Sequence, residues 1–556
     1  MLNKLSKRMQ YNVLIGMLFV LMSIAAIVIL NYRTGLIFST GDYHYHVNRI
    51  QALVYSFQHG NFLPKVDGYF SGGYGYASSM FYPDIFLYPA AILKLLGVSL
   101  TTAYLVELVL INFVTLVICY WAGKRLDFST RRSLLFTSLY FLGAYRLQVL
   151  FSRQDVGELL GMMFLPLILS EMIRFKNDAR NHWYVLAFAI FGLAMSHLIS
   201  LVMAITFMAM FVLLNFQSFF KLKIIASFAK AAVLDFGLVA WFYLPLIEQT
   251  LSQKFTLSTD PLVSINNEKL PLNQLVTNSL NNQVFHASTV NLGLVIFLGL
   301  VAYTMYNFWH KENLSLTIIA LSLFFACTQY FPWNFWKGDP LKMIQFPWRF
   351  FSIISLIVAY FIAKDDLHLM SIKYFKTALV LGLLLFSFDL SQDTVQASAY
   401  DLKTYSSYDE LSSFMIGAGH EYLPSKVDYN EINSSRQLQY NPKDINIDRT
   451  TINDNEVKFN FSTKKENSAV VLPLFYYKGY QATMTGNGKA TTPMESSHGL
   501  VKVVLKGKGS VLVQYHYTLV QKLSLLLSVL TAIGSLGYVV FKKKFARIRH
   551  RVINAY

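Results

Sequence analysis

Charge is what this chain has least of. Asp, Glu, Lys and Arg make up 14% of its 556 residues, where an ordinary soluble domain carries roughly a quarter, and that shortage excludes a soluble enzyme of this length. Cysteine is nearly absent. Cys119 and Cys327 both fall in apolar stretches, so neither a disulfide framework nor a cysteine-rich metal cluster is available. Internal repeats of fixed period and low-complexity tracts are also missing, which argues against a repeat architecture. Apolar residues are abundant instead: 54% of the chain is hydrophobic and 15% aromatic, the composition of a protein whose solvent is largely lipid. The net charge of +17 would point to nucleic acid in a soluble protein. Here the basic residues gather at the ends of apolar runs, where they encode topology, and no nucleic-acid partner is expected.

The sequence reads as a polytopic α-helical membrane protein. After Lys4, Lys7 and Arg8 an apolar run covers 11–30, long enough to cross a hydrocarbon core and too long for a signal-peptide core. Further spans are expected at 102–122, 133–146, 158–174, 183–196, 197–216, 224–247, 288–308, 314–331, 349–363, 375–390 and 519–541, about twelve in all. The run 81–97 holds Pro83, Asp84 and Pro89, and charge decides its reading. If it lies in the outer interface instead of crossing, then Lys124, Arg125, Arg131, Arg132, Arg174, Lys176, Arg180, Lys221, Lys223 and the tail from Lys542 to Arg551 all fall inside, with both termini cytoplasmic.

This topology gives a transmembrane bundle over 1–390 with an outer loop at 32–101 carrying juxtamembrane helices, an extracellular region over 391–518, and a final helix with a basic tail over 519–556. The extracellular region alternates in period two through Val457, Phe459 and Phe461, then Val470 to Tyr477, Leu500 to Leu505 and Ser510 to Tyr517. Turns at Gly486-Asn487-Gly488 and Gly507-Lys508-Gly509 punctuate it, as in a β-sandwich.

Chemistry-bearing residues cluster in the outer loops. In Gly41-Asp42-Tyr43-His44-Tyr45-His46, followed by Arg49, a helix starting at Asp42 would put Asp42, His46 and Arg49 on one face. Asp42 or His46 suits a general base, while a helix N-cap at the head of a surface anchor is the structural alternative. Arg153-Gln154-Asp155-Val156-Gly157-Glu158 sets acids at a helix mouth, and with Asp42 these would form an oxygen-rich site suited to Mg²⁺ or Mn²⁺. His197 follows Ser196 at a junction of two apolar runs, where a turn role is the plain reading. Arg349 stands in Gln345-Phe346-Pro347-Trp348-Arg349-Phe350; an aromatic belt with a snorkelling Arg accounts for it, and so does a guanidinium gripping a lipid phosphate.

On these residues, together with Glu421-Tyr422-Leu423-Pro424 and Leu472 to Gly479, the chain resembles the bacterial multispan membrane proteins labelled as related to 6-pyruvoyl-tetrahydropterin synthase. These are similar to GT-C superfamily glycosyltransferases acting on cell-wall polymers. The resemblance covers most of the chain. It implies a GT-C-like bundle in the bacterial cell membrane that moves a sugar from a polyprenyl-phosphate carrier to an acceptor outside, a cell-wall polymer or lipid-linked glycan. Asp42, with His46 beside it, would be catalytic. Asp155, Glu158 and His44 would orient the acceptor or a metal, and Arg349, with Arg49, Arg153 and His197, would bind the donor phosphate. Metal dependence stays open, with Mg²⁺ or Mn²⁺ on Asp42, Asp155 and Glu158 if one is present. Two other classes compete: a transporter or flippase of a lipid-linked glycan, for which Asp235 inside an apolar span is the main midplane residue, and a noncatalytic envelope-assembly protein.

Overall fold

The apolar runs fold as helices, and several begin where the sequence offers a cap. In the computed structural model of the protein, residues 7–32, 36–38, 41–177, 183–259, 263, 265, 267–284, 289–335, 344–368, 382, 402–404, 411–433 and 435–553 are described. Helix Leu100–Arg125 starts at Ser99, whose hydroxyl accepts the Thr102 N–H, and Thr130–Phe141 starts at Ser129, which accepts from Arg132. Each cap satisfies an amide that the first turn leaves without a partner.

Among the described residues six helices are long and apolar enough to cross a membrane: Met9–Ile27, Leu100–Arg125, Val156–Lys176, Leu222–Ser252, Pro347–Lys364 and Leu519–Tyr538. A seventh arises if Thr130–Phe141 and Ala144–Arg153, bent by 48°, count as one span. This is the pattern of a polytopic membrane protein, with fewer full-length spans than the twelve expected. The reason is local. The runs at 183–196, 197–216, 288–308 and 314–331 fold as the shorter helices Trp183–Ala194, Leu198–Leu214, Leu294–His310 and Leu314–Cys327, cut by breaks such as Ser196-His197. The segment 81–97 holds only the short helix Ile85–Leu95, and the run 375–390 lies outside the described residues apart from Gly382.

By its contacts the chain divides into two discontinuous units, one of Met1–Val54, Asp84–Ser227 and Leu262–Ala418, the other of Tyr55–Pro83, Phe228–Pro261 and Gly419–Tyr556. In the first, the helix Val156–Lys176 is buried almost throughout and packs against Leu100–Arg125 and Trp183–Ala194. Strand β1 (Leu36–Phe38) pairs antiparallel with β2 (Leu402–Thr404), Leu36 opposite Thr404. The buried Asn48 ties the same region together by donating to the carbonyls of Ser412 and Met415 at 2.9 and 3.0 Å.

The second unit contains two sheets that share one core. The strands are β3 (Gln439–Tyr440), β4 (Ile445–Asn453), β5 (Glu456–Thr463), β6 (Ser468–Phe475), β7 (Tyr480–Gly486), β8 (Lys489–Ala490), β9 (Met494–Glu495), β10 (Leu500–Lys506) and β11 (Lys508–Tyr515). One sheet runs β3-β6-β10-β8 with β9 also on β10, the other β4-β5-β11-β7. The alternation seen in the sequence is the alternation of burial: Val457, Phe459 and Phe461 of β5 meet Val470, Leu472 and Leu474 of β6 and Val501, Val503 and Leu505 of β10, each worth about 1.5–3 kcal/mol when withdrawn from water. In the same unit Ser528 of the last helix accepts from Trp241 N–H at 3.0 Å and donates to the Gly237 carbonyl at 2.8 Å.

Candidate functional site

The site lies in the first unit and starts from a broken helix. The bend at Leu142-Gly143 turns the second limb, Ala144–Arg153, which ends in a π-turn over Val149–Arg153. Gln154 follows in a left-handed conformation, φ 47° and ψ 34°, and is held there by Tyr104, whose hydroxyl donates to Gln154 Oε1 at 2.9 Å. Such a break sets Arg153 and Asp155 at the mouth of the next helix instead of within a continuous one. Asp155 caps that helix: its Oδ1 accepts the Glu158 N–H at 2.9 Å. The spacing Asp155-x-x-Glu158 is that of a capping box.

Asp42 reaches the same mouth through its backbone. Its N–H donates to the Arg153 carbonyl at 2.9 Å, and Gly41 before it, at φ +59°, passes so close that a Cβ would stand 2.1 Å from that carbonyl oxygen. The helix Tyr43–Gln58 then begins as the Asp42 carbonyl accepts from His46 N–H at 3.0 Å.

Seven of the nine residues singled out in the sequence gather here. Asp42, His46 and Asp155 each offer a ligand atom within 4.8 Å of the others, and His46 Nε2 is 3.8 Å from Asp155 Oδ1. Arg349 donates its Nε–H to Glu158 Oε2 at 3.2 Å and reaches Asp155 Oδ2 at 3.4 Å, while its other terminal nitrogen donates to the Ile344 carbonyl and Gln345 Oε1 at 3.0 and 3.2 Å. Arg153 bonds Glu158, lies 3.2 Å from Asp155 Oδ2, and stacks 4.5 Å over the Trp348 ring. His197 is buried and bonds Ser200 Oγ at 2.9 Å.

The remaining two lie to the side. Arg49 donates to Asp84 through Nε at 3.0 Å and through a second nitrogen, and turns its third toward His46 Nδ1 at 3.3 Å. His44 packs edge-on against the Tyr43 ring, 5.4 Å between centroids, and is not a member of the trio.

Three participants were not picked out in the sequence. Tyr145 donates its hydroxyl to Glu158 Oε1, Gln345 accepts from Arg349, and Asp84 holds Arg49. Tyr145 follows the Gly143 break, which is the one local signal that could have marked it.

The two aspartates differ electrostatically. Asp42 is an exposed residue whose carboxyl is nonetheless crowded by protein. This crowding, then the charge of Asp155, raises its carboxyl above the ordinary range against the pull of His46, Arg153 and Arg349. Burial works against ionising Asp155 too, but His46, Arg153 and Arg349 outweigh it and hold that carboxyl well below the ordinary range. The arrangement therefore offers one proton acceptor at an open mouth beside a fixed anion locked between two guanidiniums.

A divalent ion would have to take lone pairs that are already in use. Asp155 Oδ1 accepts from Glu158 N–H, its Oδ2 faces both guanidiniums, and His46 Nδ1 faces Arg49. The residues present do not fit a metal well. No protein-family model matches the chain, and no curated protein matches it.

Proposed function

We propose that this protein is a membrane glycosyltransferase with a GT-C-like bundle of about twelve spans, moving a sugar from a polyprenyl-phosphate carrier to a hydroxyl acceptor, a glycan or cell-wall polymer, on the outer face of a bacterial cell membrane. The observation that carries this reading is convergence: Asp42, Asp155, Glu158, Arg153 and Arg349, drawn from three separate stretches of sequence, meet at one mouth. In the proposed reaction Asp42 takes the proton of the acceptor hydroxyl as its oxygen attacks the anomeric carbon. The bond from that carbon to the phosphate oxygen breaks, and the carrier leaves as a phosphate with inversion at the sugar. In this reading Arg153, stacked on Trp348, would take the leaving phosphate in exchange for one of the two carboxylates its nitrogens now hold. Arg349 would reach it only by exchanging one of its present partners.

Asp42→Asn tests the reading. Transfer from a radiolabelled polyprenyl-phosphate sugar should fall by roughly 10² to 10⁴, with folding retained. The sign of the stability change is fixed as well. The folded protein binds the Asp42 proton more tightly than the unfolded chain, so ionising Asp42 costs folded stability as pH rises, and the amide should leave thermal stability at neutral pH equal or higher. Near-normal transfer by the variant would refute the reading.

A transporter is the second reading, favoured by Asp235. This residue is buried in the candidate span Leu222–Ser252, and among the described residues neither of its carboxylate oxygens has a hydrogen-bond partner. Intramembrane acids in that state commonly lie on ion or substrate paths.

A further inference from the structure

The nearest candidate for a metal centre contains its own obstacle. His46 and Arg49 are three residues apart on the helix Tyr43–Gln58 and therefore neighbours on its surface. A terminal nitrogen of Arg49 lies 3.3 Å from His46 Nδ1. A guanidinium has donors and no acceptor, so in this contact Nδ1 must be the acceptor. A neutral imidazole that accepts at Nδ1 carries its proton on Nε2, and Nε2 is the atom that faces Asp155. Arg49 cannot easily turn away, because its Nε and another nitrogen are both bound to Asp84, and Arg49 and Asp84 are both buried.

We propose that Arg49 is a positioning residue that locks His46 as the Nε2–H tautomer, so that the Asp42–His46–Asp155 trio meets its ligand with an N–H donor and is closed to a divalent cation. For His46 to ligate through Nε2, its proton would have to move to Nδ1, where it would meet the N–H of Arg49, or leave the ring altogether. Asp155 reinforces the closure, since a cation there would compete with the Glu158 N–H and two guanidiniums. The ligand class that fits is a hydroxyl: Asp42 accepts its proton while a donor faces its oxygen. This takes its meaning from the proposed transfer, but the tautomer and the metal affinity can be read without any turnover.

The test is nitrogen NMR of the full-length protein in nanodiscs with ¹⁵N-labelled histidine, His46 being assigned by its loss in His46→Gln. Wild type should show His46 as Nε2–H, and Mn²⁺ should leave that signal unbroadened. Arg49→Gln should release the ring into a mixture of tautomers and tighten Mn²⁺ binding by about 10- to 100-fold, the range over which such outer partners tune metal affinity. Arg49→Lys, which still only donates, should keep the wild-type tautomer. If Arg49→Gln does not fold because Asp84 is stranded, the pair Arg49→Gln with Asp84→Asn removes that charge and should show the same release. An Nδ1–H signal for His46 in wild type overturns the proposal, and so does site-specific broadening by Mn²⁺ equal in wild type and the released variants. A protein that shows the lock but transfers no sugar would refute the glycosyltransferase reading alone.

Discussion

Asp155→Asn is the substitution whose cost the geometry fixes most closely. The amide keeps the size of the side chain and caps a helix as well as the acid does, so the Glu158 N–H keeps an acceptor and capping contributes little to the loss. The loss comes from charge. Arg153 and Arg349 now share Asp155 and Glu158; afterwards two largely buried guanidiniums would share Glu158 alone, and the amide would turn either its N–H₂ toward them or its oxygen away from the cap. Removing one partner of a buried pair typically costs 3–5 kcal/mol, and the surviving Glu158 places this case at the lower end, about 3 kcal/mol. Equilibrium denaturation in detergent at a series of pH values measures it. The folded-state carboxyl titrates below its ordinary range, so its contribution is fully present above the unfolded value of about 3.9 and is lost as pH falls from there toward the folded one. As pH falls the gap between wild type and variant should close only below about pH 4; at higher pH it changes only where the Asp42 carboxyl, raised in part by Asp155, titrates differently in the two proteins. A cost under about 1 kcal/mol, the level of an exposed ion pair, would refute the buried network, and so would a gap that already narrows between about pH 8 and pH 6.

Two other substitutions probe backbone placement and topology. Gly41→Ala requires a left-handed residue with its Cβ against the Arg153 carbonyl; it should break the Asp42 N–H bond, cost about 1–3 kcal/mol, and lower transfer even though no catalytic group changes, so a fully active and equally stable variant would show that Asp42 is not held this way. For topology, the exposed Lys465 serves as the outer probe. In a background lacking Cys119 and Cys327, an impermeant thiol reagent should label Lys465→Cys in intact cells and leave Ala546→Cys untouched, and labelling of the tail from outside would invert the membrane orientation.

What could be read from the chain follows from how local each signal is. The strands β5, β6, β10 and β11 were legible because one face of each is buried and the period of two survives in Val457, Phe459 and Phe461. The helix face carrying His46 and Arg49 was legible for the same reason at a spacing of three and four. Where a run is broken was not, since hydropathy registers an apolar run but not a bend such as the one of 48° at Leu142-Gly143. The partners of each charge were illegible too. Asp84 stood in a proline-containing stretch that looked interfacial, and only the fold brings it to Arg49, 35 residues earlier. Arg349 read as a phosphate grip because its neighbours are aromatic, whereas four of its N–H groups are already donated to Glu158, Asp155, Gln345 and Ile344.

Those donations bear on how acid and base roles divide. Two carboxylates this close cannot ionise independently, and whichever is better supplied with cations and donors becomes the permanent anion. Asp155 has the Glu158 N–H, two guanidiniums and the facing imidazole; Asp42 has only their field at a distance and the charge of Asp155 against it. The charge that this network keeps on Asp155 thus adds to the crowding that does most to raise Asp42's affinity for a proton, which is the property a general base needs. It follows that weakening the network should weaken the base. In Asp155→Asn the repulsion that lifts Asp42 disappears while Arg153 and Arg349 remain, so the acid limb of any transfer activity should move to lower pH than in wild type, with a reduced maximum because a weaker base accepts the proton less well. A limb that stays in place in Asp155→Asn would assign the titration to a group other than Asp42.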